Sequence, residues 1–115
     1  MVVTNEGITR IVNLVSADLD NGQAGTGTTA DTPADTGLET AVAATKVALT
    51  KEIGDKSISV SHLINSTTAT GNSFTEWEVR MNTDTDTLSR STTAAIAHTV
   101  NDEITRITTV FINQK

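Results

Sequence analysis

The chain has 115 residues and a formal net charge of -6 at pH 7. That length predicts one small domain. Eight Lys and Arg against fourteen Asp and Glu leave no phosphate-neutralising surface, which excludes nucleic-acid binding and electrostatic docking on anionic membranes. The absence of cysteine excludes disulfides, thiolate metal sites and cysteine nucleophiles.

Residues 4 to 16 carry a helical period. Ile8, Ile11, Val12 and Val15 fall at the i, i+3, i+4, i+7 spacing of one face, with Leu14 beside it. Thr4 or Asn5 supplies the N-cap, and Glu6 sits near the positive end of the helix dipole. Glu6 and Arg10 inside the apolar pattern argue against a signal peptide. Asp18-Leu19-Asp20-Asn21-Gly22 has turn chemistry and is expected to end the helix. The following run, Gly25-Thr26-Gly27-Thr28-Thr29-Ala30 through Gly37-Leu38-Glu39, is expected to be a long extended arm.

From Thr45 onward the period changes to two. Val47, Leu49 and Ile53 share one face of an expected strand over 45–53, which Lys51 interrupts. Ser57 to Ile64 alternates cleanly, with Ile58, Val60, His62 and Ile64 opposite three serines. Phe74 to Met81 predicts a strand with Trp77, Val79 and Met81 inward and Glu76, Glu78 and Arg80 on a solvated outer face. Leu88 to Ser91 predicts a short strand, Ala94 to Val100 an apolar segment, and Glu103 to Asn113 a long β-branched closing strand. Threonine makes up about one residue in five, which favours a pleated, half-exposed surface.

The fold class expected is therefore mainly β: an antiparallel β-sandwich or open barrel with a short N-terminal helix and a long Gly/Thr-rich arm. Its parts are a helix over 1–19, an arm over 20–42 and a β core over 43–115. Removal of residues 1–40 is expected to leave that core folded.

Few residues suggest chemistry. The glycine-rich run has no Lys after it and no strand before it, so it does not meet the phosphate-loop pattern. Asp18/Asp20 and Asp84/Asp86 each begin a calcium-loop spacing and neither completes it; the second, counted from Asn82, has Thr87 where that loop needs Gly and Thr93 where it needs Glu. His62 and His98 read as core or interface histidines. Glu76 and Glu78 are a carboxylate pair without a recognisable nucleophile, base and orienter set. Asn65-Ser66-Thr67 is a formal glycosylation acceptor. No enzyme activity, cofactor or metal is expected.

Several short segments occur in a telling order. A helix like Thr4 to Val15 is followed by Gly25-Thr26-Gly27-Thr28-Thr29-Ala30, then Asp35-Thr36 with Leu38 and Val42. Thr75-Glu76-Trp77-Glu78-Val79, Leu88-Ser89-Arg90 and a final strand over Ile104 to Ile112 complete the order. In this the chain resembles small tail-fibre, collar and baseplate-associated proteins of tailed bacterial and archaeal viruses. It departs from them at Trp77-Glu78-Val79, where such proteins often carry Ala-Gly-Leu.

The resemblance implies a virion component of a tail, neck, baseplate or capsid vertex. Such a component assembles symmetrically with itself, as a trimer or hexamer, and with other virion proteins. The expected assembly surface is Ile8, Ile11, Val12 and Val15 of the helix with Gly25, Gly27, Thr28 and Leu38 of the arm. The alternative is a monomeric carbohydrate- or protein-binding β-sandwich that uses Trp77.

Overall fold

A computed structural model describes residues 2–112. Helix α1 spans Asn5–Asp18, and Thr4 is its N-cap, the hydroxyl accepting the Gly7 amide at 3.1 Å. The buried stripe is Ile8, Val12 and Ser16, at i, i+4 and i+8. Val15 packs partly against the core, and Ile11 remains 38% exposed. The last turn of α1 has no basic residue of its own. Lys51 provides one from elsewhere, its Nζ donating to the Ser16 carbonyl at 2.6 Å. That is why a lysine interrupts an otherwise apolar strand face.

Seven strands follow: β1 Leu19–Gly25, β2 Ala41–Ala48, β3 Thr50–Ile53, β4 Ser57–Ile64, β5 Ser73–Met81, β6 Asp86–Ala97 and β7 Ile104–Phe111. They form two antiparallel sheets, a four-stranded sheet in the order β2-β1-β5-β6 and a three-stranded sheet in the order β3-β4-β7. The packed pair is a β-sandwich. One core cluster joins Ile8 and Val12 of α1 to Leu19, Ile58, Val60 and Val79. A second joins Ala24, Ile64, Phe74 and Trp77, the two rings meeting edge to face with centroids 5.9 Å apart.

Four expectations need correction. Residues 19–25, expected as turn and arm, form β1, which lies between β2 and β5 in the middle of the larger sheet. The β structure therefore starts at Leu19 rather than at residue 43. Secondly, the single strand expected over 45–53 is two strands in different sheets. The chain changes sheet at Leu49, whose amide donates to the Asp20 carbonyl at 3.2 Å. Thirdly, Leu88–Ser91 and most of Ala94–Val100 belong to one twelve-residue strand, β6, whose pairing with β5 shifts register twice. One shift lies between Phe74 and Glu76, where β6 takes four residues to the two of β5. Finally, the outer face of β5 is not solvated. Glu76 and Glu78 are both buried.

The closing strand runs from Ile104 to Phe111, and Asn113 lies outside the described residues. No helix among the described residues is long and apolar enough to cross a membrane.

Candidate functional site: a buried carboxylate that holds the arm

Residues 26–40, expected as a long extended arm, instead form a packed loop (the arm) with a turn at Thr32–Asp35. It leaves the end of β1 and folds back across the outer face of the four-stranded sheet to β2. Register sets what they meet there. Gly25 of β1 and Thr92 of β6 flank Glu76, and Gln23 and Arg90 flank Glu78. Glu76 is 0% exposed. Its Oε2 accepts the Gly27 amide at 2.7 Å and the Thr40 amide at 2.8 Å, while its Oε1 accepts the Glu39 amide at 2.8 Å. Arg90 Nε completes the set, donating to Oε1 at 3.1 Å. One carboxylate thus pins both ends of the arm.

Burial alone would raise the Glu76 pKa, but the Thr40, Glu39 and Gly27 amides together with Arg90 outweigh it. The net direction is down, and the group stays charged. The glycines are required by this close approach. A Cβ on Gly27 would stand 2.5 Å from Glu76 Oε2, and one on Gly25 would stand 2.6 Å from the same oxygen and collide with the Thr40 carbonyl. The Gly-Thr-Gly spacing lets a backbone settle onto a buried carboxylate.

The remaining charges of the arm are tied down as well. Arg90 Nη1 meets Asp35 Oδ2 at 3.0 Å, and its Nη2 donates to the Thr29 carbonyl at 2.9 Å. Thr92 donates to Asp31 at 2.8 Å. Glu39 accepts the Thr28 amide at 3.0 Å and the Thr29 hydroxyl. Hydrogen bonds from Thr29 and the Thr28 and Thr29 amides hold the Glu39 carboxyl below its ordinary pKa. Thr92 does the same for Asp31.

A second cluster lies at the other end of β5. Asp84 accepts from Lys46 Nζ at 2.7 Å, from Arg80 Nε at 2.6 Å and from Asn21 Nδ2 at 3.0 Å. These bonds, Lys46 first, keep its carboxyl well below the usual range. They also brace a turn in which Asn82, Thr83 and Asp84 all have positive φ, near +56°, +53° and +62°. Asp20 and Asp84, from the two incomplete calcium spacings, are brought to either side of the Asn21 amide nitrogen. The place a cation would take is filled by the Lys46 ammonium and the Arg80 guanidinium. Among the described residues no three His, Cys, Asp or Glu side chains form a metal-holding group.

The other candidate residues bond within the chain. His62 is buried and donates from Nε2 to the Thr45 carbonyl at 2.6 Å, and burial lowers its pKa. His98 is buried against Phe74, with Nε2 3.0 Å from the Asp102 carbonyl. Trp77 is 3% exposed, bonds Thr93 through Nε1 at 3.0 Å and lies under the Arg106 guanidinium, so it offers no sugar platform. Asn65 folds its side chain back onto Thr67 and Thr68. The void between the sheets, about 10 Å³, has room for a single water.

The residues expected to form an assembly surface lie mostly inside this one chain. Ile8 and Val12 are core, Gly25 and Gly27 lie under the arm clasp, and Val15 and Leu38 are half-buried. Ile11 and Thr28 stay exposed. Arg90, which carries the arm, stands out in the sequence only as part of Leu88-Ser89-Arg90. The signal for its role is an arginine two residues from the expected cross-strand neighbour of a buried glutamate, and that is legible only once the strand register is known. No family model, curated protein or solved structure matches the chain.

Proposed function

We propose that this chain is a non-enzymatic structural component of a virion, a part of a tail, neck, baseplate or capsid vertex that works by symmetric assembly with copies of itself and with other virion proteins. One observation carries the reading. The segments on which the viral resemblance rests, Gly25 to Ala30, Asp35, Glu76 and Arg90, meet in one clasp, and their charged groups are engaged in holding the arm to the sheet. A motif used in this way serves rigidity rather than turnover. The void between the sheets is water-sized, and the buried His62 and Glu76 are each bound to backbone. A carbohydrate module would want an exposed aromatic platform, and Trp77 is buried.

The test is the absolute solution mass by light scattering over a hundredfold concentration range, with negative-stain imaging of the product. A discrete trimer or hexamer is expected. A monomer at every concentration, combined with specific retention on a glycan array, would overturn the reading in favour of a binding module.

A further inference from the structure

The void between the sheets has polar walls, and strand register is the reason. Ser91 and Ser89 of β6 stand opposite Trp77 and Val79, which are core, so both serines turn inward. Arg106 and Thr108 of β7 stand opposite the buried His62 and Val60, and turn inward as well. These four polar residues are half-buried, and with His62 they line the void of about 10 Å³. Inward positions of a sandwich ordinarily carry the core.

Arg106 is the charge among these groups. Arg80 and Arg90 each bond carboxylates. Arg106 instead donates from Nη2 to the Ser91 hydroxyl at 3.3 Å and lies 5.8 Å from the centre of the Trp77 ring. Among the described residues no carboxylate forms an ion pair with it. Glu78 borders the void, but its carboxylate turns to the outer face, where Arg80 and the Thr87 hydroxyl hold it. Val60, Val79 and Trp77 complete the walls with apolar surface, beside which an unpaired charge is costly.

Size and sign select the occupant. A space for one water-sized sphere excludes phosphate, sulfate and carboxylates. A guanidinium on the wall repels a cation and favours an anion. Ser91 accepts from Arg106, so its own proton remains to be donated, and Ser89 and Thr108 each bring a hydroxyl proton that rotates. We propose that the void binds a single halide ion, chloride in ordinary solution, between the Arg106 guanidinium and the Ser89, Ser91 and Thr108 hydroxyls. The ion supplies the counter-charge that the protein does not, and it ties β6 of one sheet to β7 of the other. Water fits the same volume but leaves Arg106 uncompensated. The site is independent of the assembly reading.

The test titrates the full chain with sodium chloride or sodium bromide against sodium gluconate, at constant ionic strength and neutral pH. Two signals are followed: the ring resonances of His62, which borders the void, and the thermal midpoint. Both halides should shift the His62 resonances along a saturating curve and raise the midpoint, whereas gluconate, too large for the void, should do neither. Arg106→Gln should weaken the apparent halide affinity about tenfold, the loss of one charge-assisted hydrogen bond. Arg80→Gln, on the outer face, should leave that affinity unchanged. Thr108→Val removes one donor while keeping the shape of the side chain, so it tests the site even if circular dichroism shows Arg106→Gln to be unfolded. A response that does not saturate, or that gluconate reproduces, means that the void holds water alone and overturns the proposal. Undiminished halide affinity in Thr108→Val, or in a folded Arg106→Gln, places the ion elsewhere and overturns it equally.

Discussion

Arg90 faces Glu78 in the β5–β6 register, yet its guanidinium reaches diagonally to Glu76, 3.1 Å from Oε1. Glu78 is left to Arg80 and the Thr87 hydroxyl, at 3.1 and 2.7 Å. The diagonal pairing turns Arg90 into a bridge between a strand and the arm, since the same guanidinium also holds Asp35 and the Thr29 carbonyl.

Replacing Glu76 with Gln keeps the shape and removes the charge. One position of the amide NH2 then faces backbone donors, and Arg90 loses a buried partner. Breaking a buried pair in this way costs about 3–5 kcal/mol. Urea denaturation of Glu76→Gln should show a loss of that order, and hydrogen exchange should quicken at the Gly27, Glu39 and Thr40 amides well before the β4 amides.

Gly27→Ala tests the close approach from the other side. The added Cβ would press on Glu76 Oε2 and on Glu39, so the arm must lift. Overpacking of this kind costs about 1–3 kcal/mol. Gly71→Ala is the informative comparison, because Gly71 has open space around it but a positive φ, so it reports backbone strain without a clash.

Acid should act in two stages. His62 has a pKa below its ordinary value of 6.5, so the unfolded chain binds a proton first. Stability is fully present above 6.5 and falls as pH drops from there through the folded value. Glu76 is likewise depressed below 4.5, and its contribution is lost as pH drops from 4.5 through its own folded value. Urea midpoints measured from pH 8 to 3 should decline in both windows. His62→Gln should remove the upper decline and leave the lower one.

Deleting residues 1–40 should unfold the protein rather than release a stable core. The deletion removes β1 from between β2 and β5, and with it Ile8, Val12 and Leu19 of the core. Each such apolar side chain contributes about 1.5–3 kcal/mol on burial. A cooperative thermal transition in the truncated chain would show this account of the sheet to be mistaken.

Strand β4 was legible in the sequence because one of its faces is core and the other open, which writes an alternating pattern into Ser57–Ile64. Strand β1 was not. Asp20-Asn21-Gly22-Gln23-Ala24-Gly25 has the composition of a turn, because its small residues accommodate close neighbours rather than a bend. The β5 face was read as solvated because its cover comes from residues 26–40, and no local period reports a contact across such a distance. Lys51 looked like a flaw in a strand, and its explanation sits on a helix that ends more than thirty residues earlier. The glycine-rich motif was visible, whereas its purpose depended on knowing which carboxylate lay beneath it.

The central position of β1 has a consequence for biogenesis. A ribosome delivers Leu19–Gly25 early, but one of its two neighbours is Ser73–Met81, and the arm's anchor Glu76 arrives with that strand. Until then the larger sheet can form only its β1–β2 ribbon, with an unfastened loop. Arm docking is therefore a late event in the life of each molecule, and a stall in translation before Met81 would leave a long, uncapped strand for cellular quality control to find.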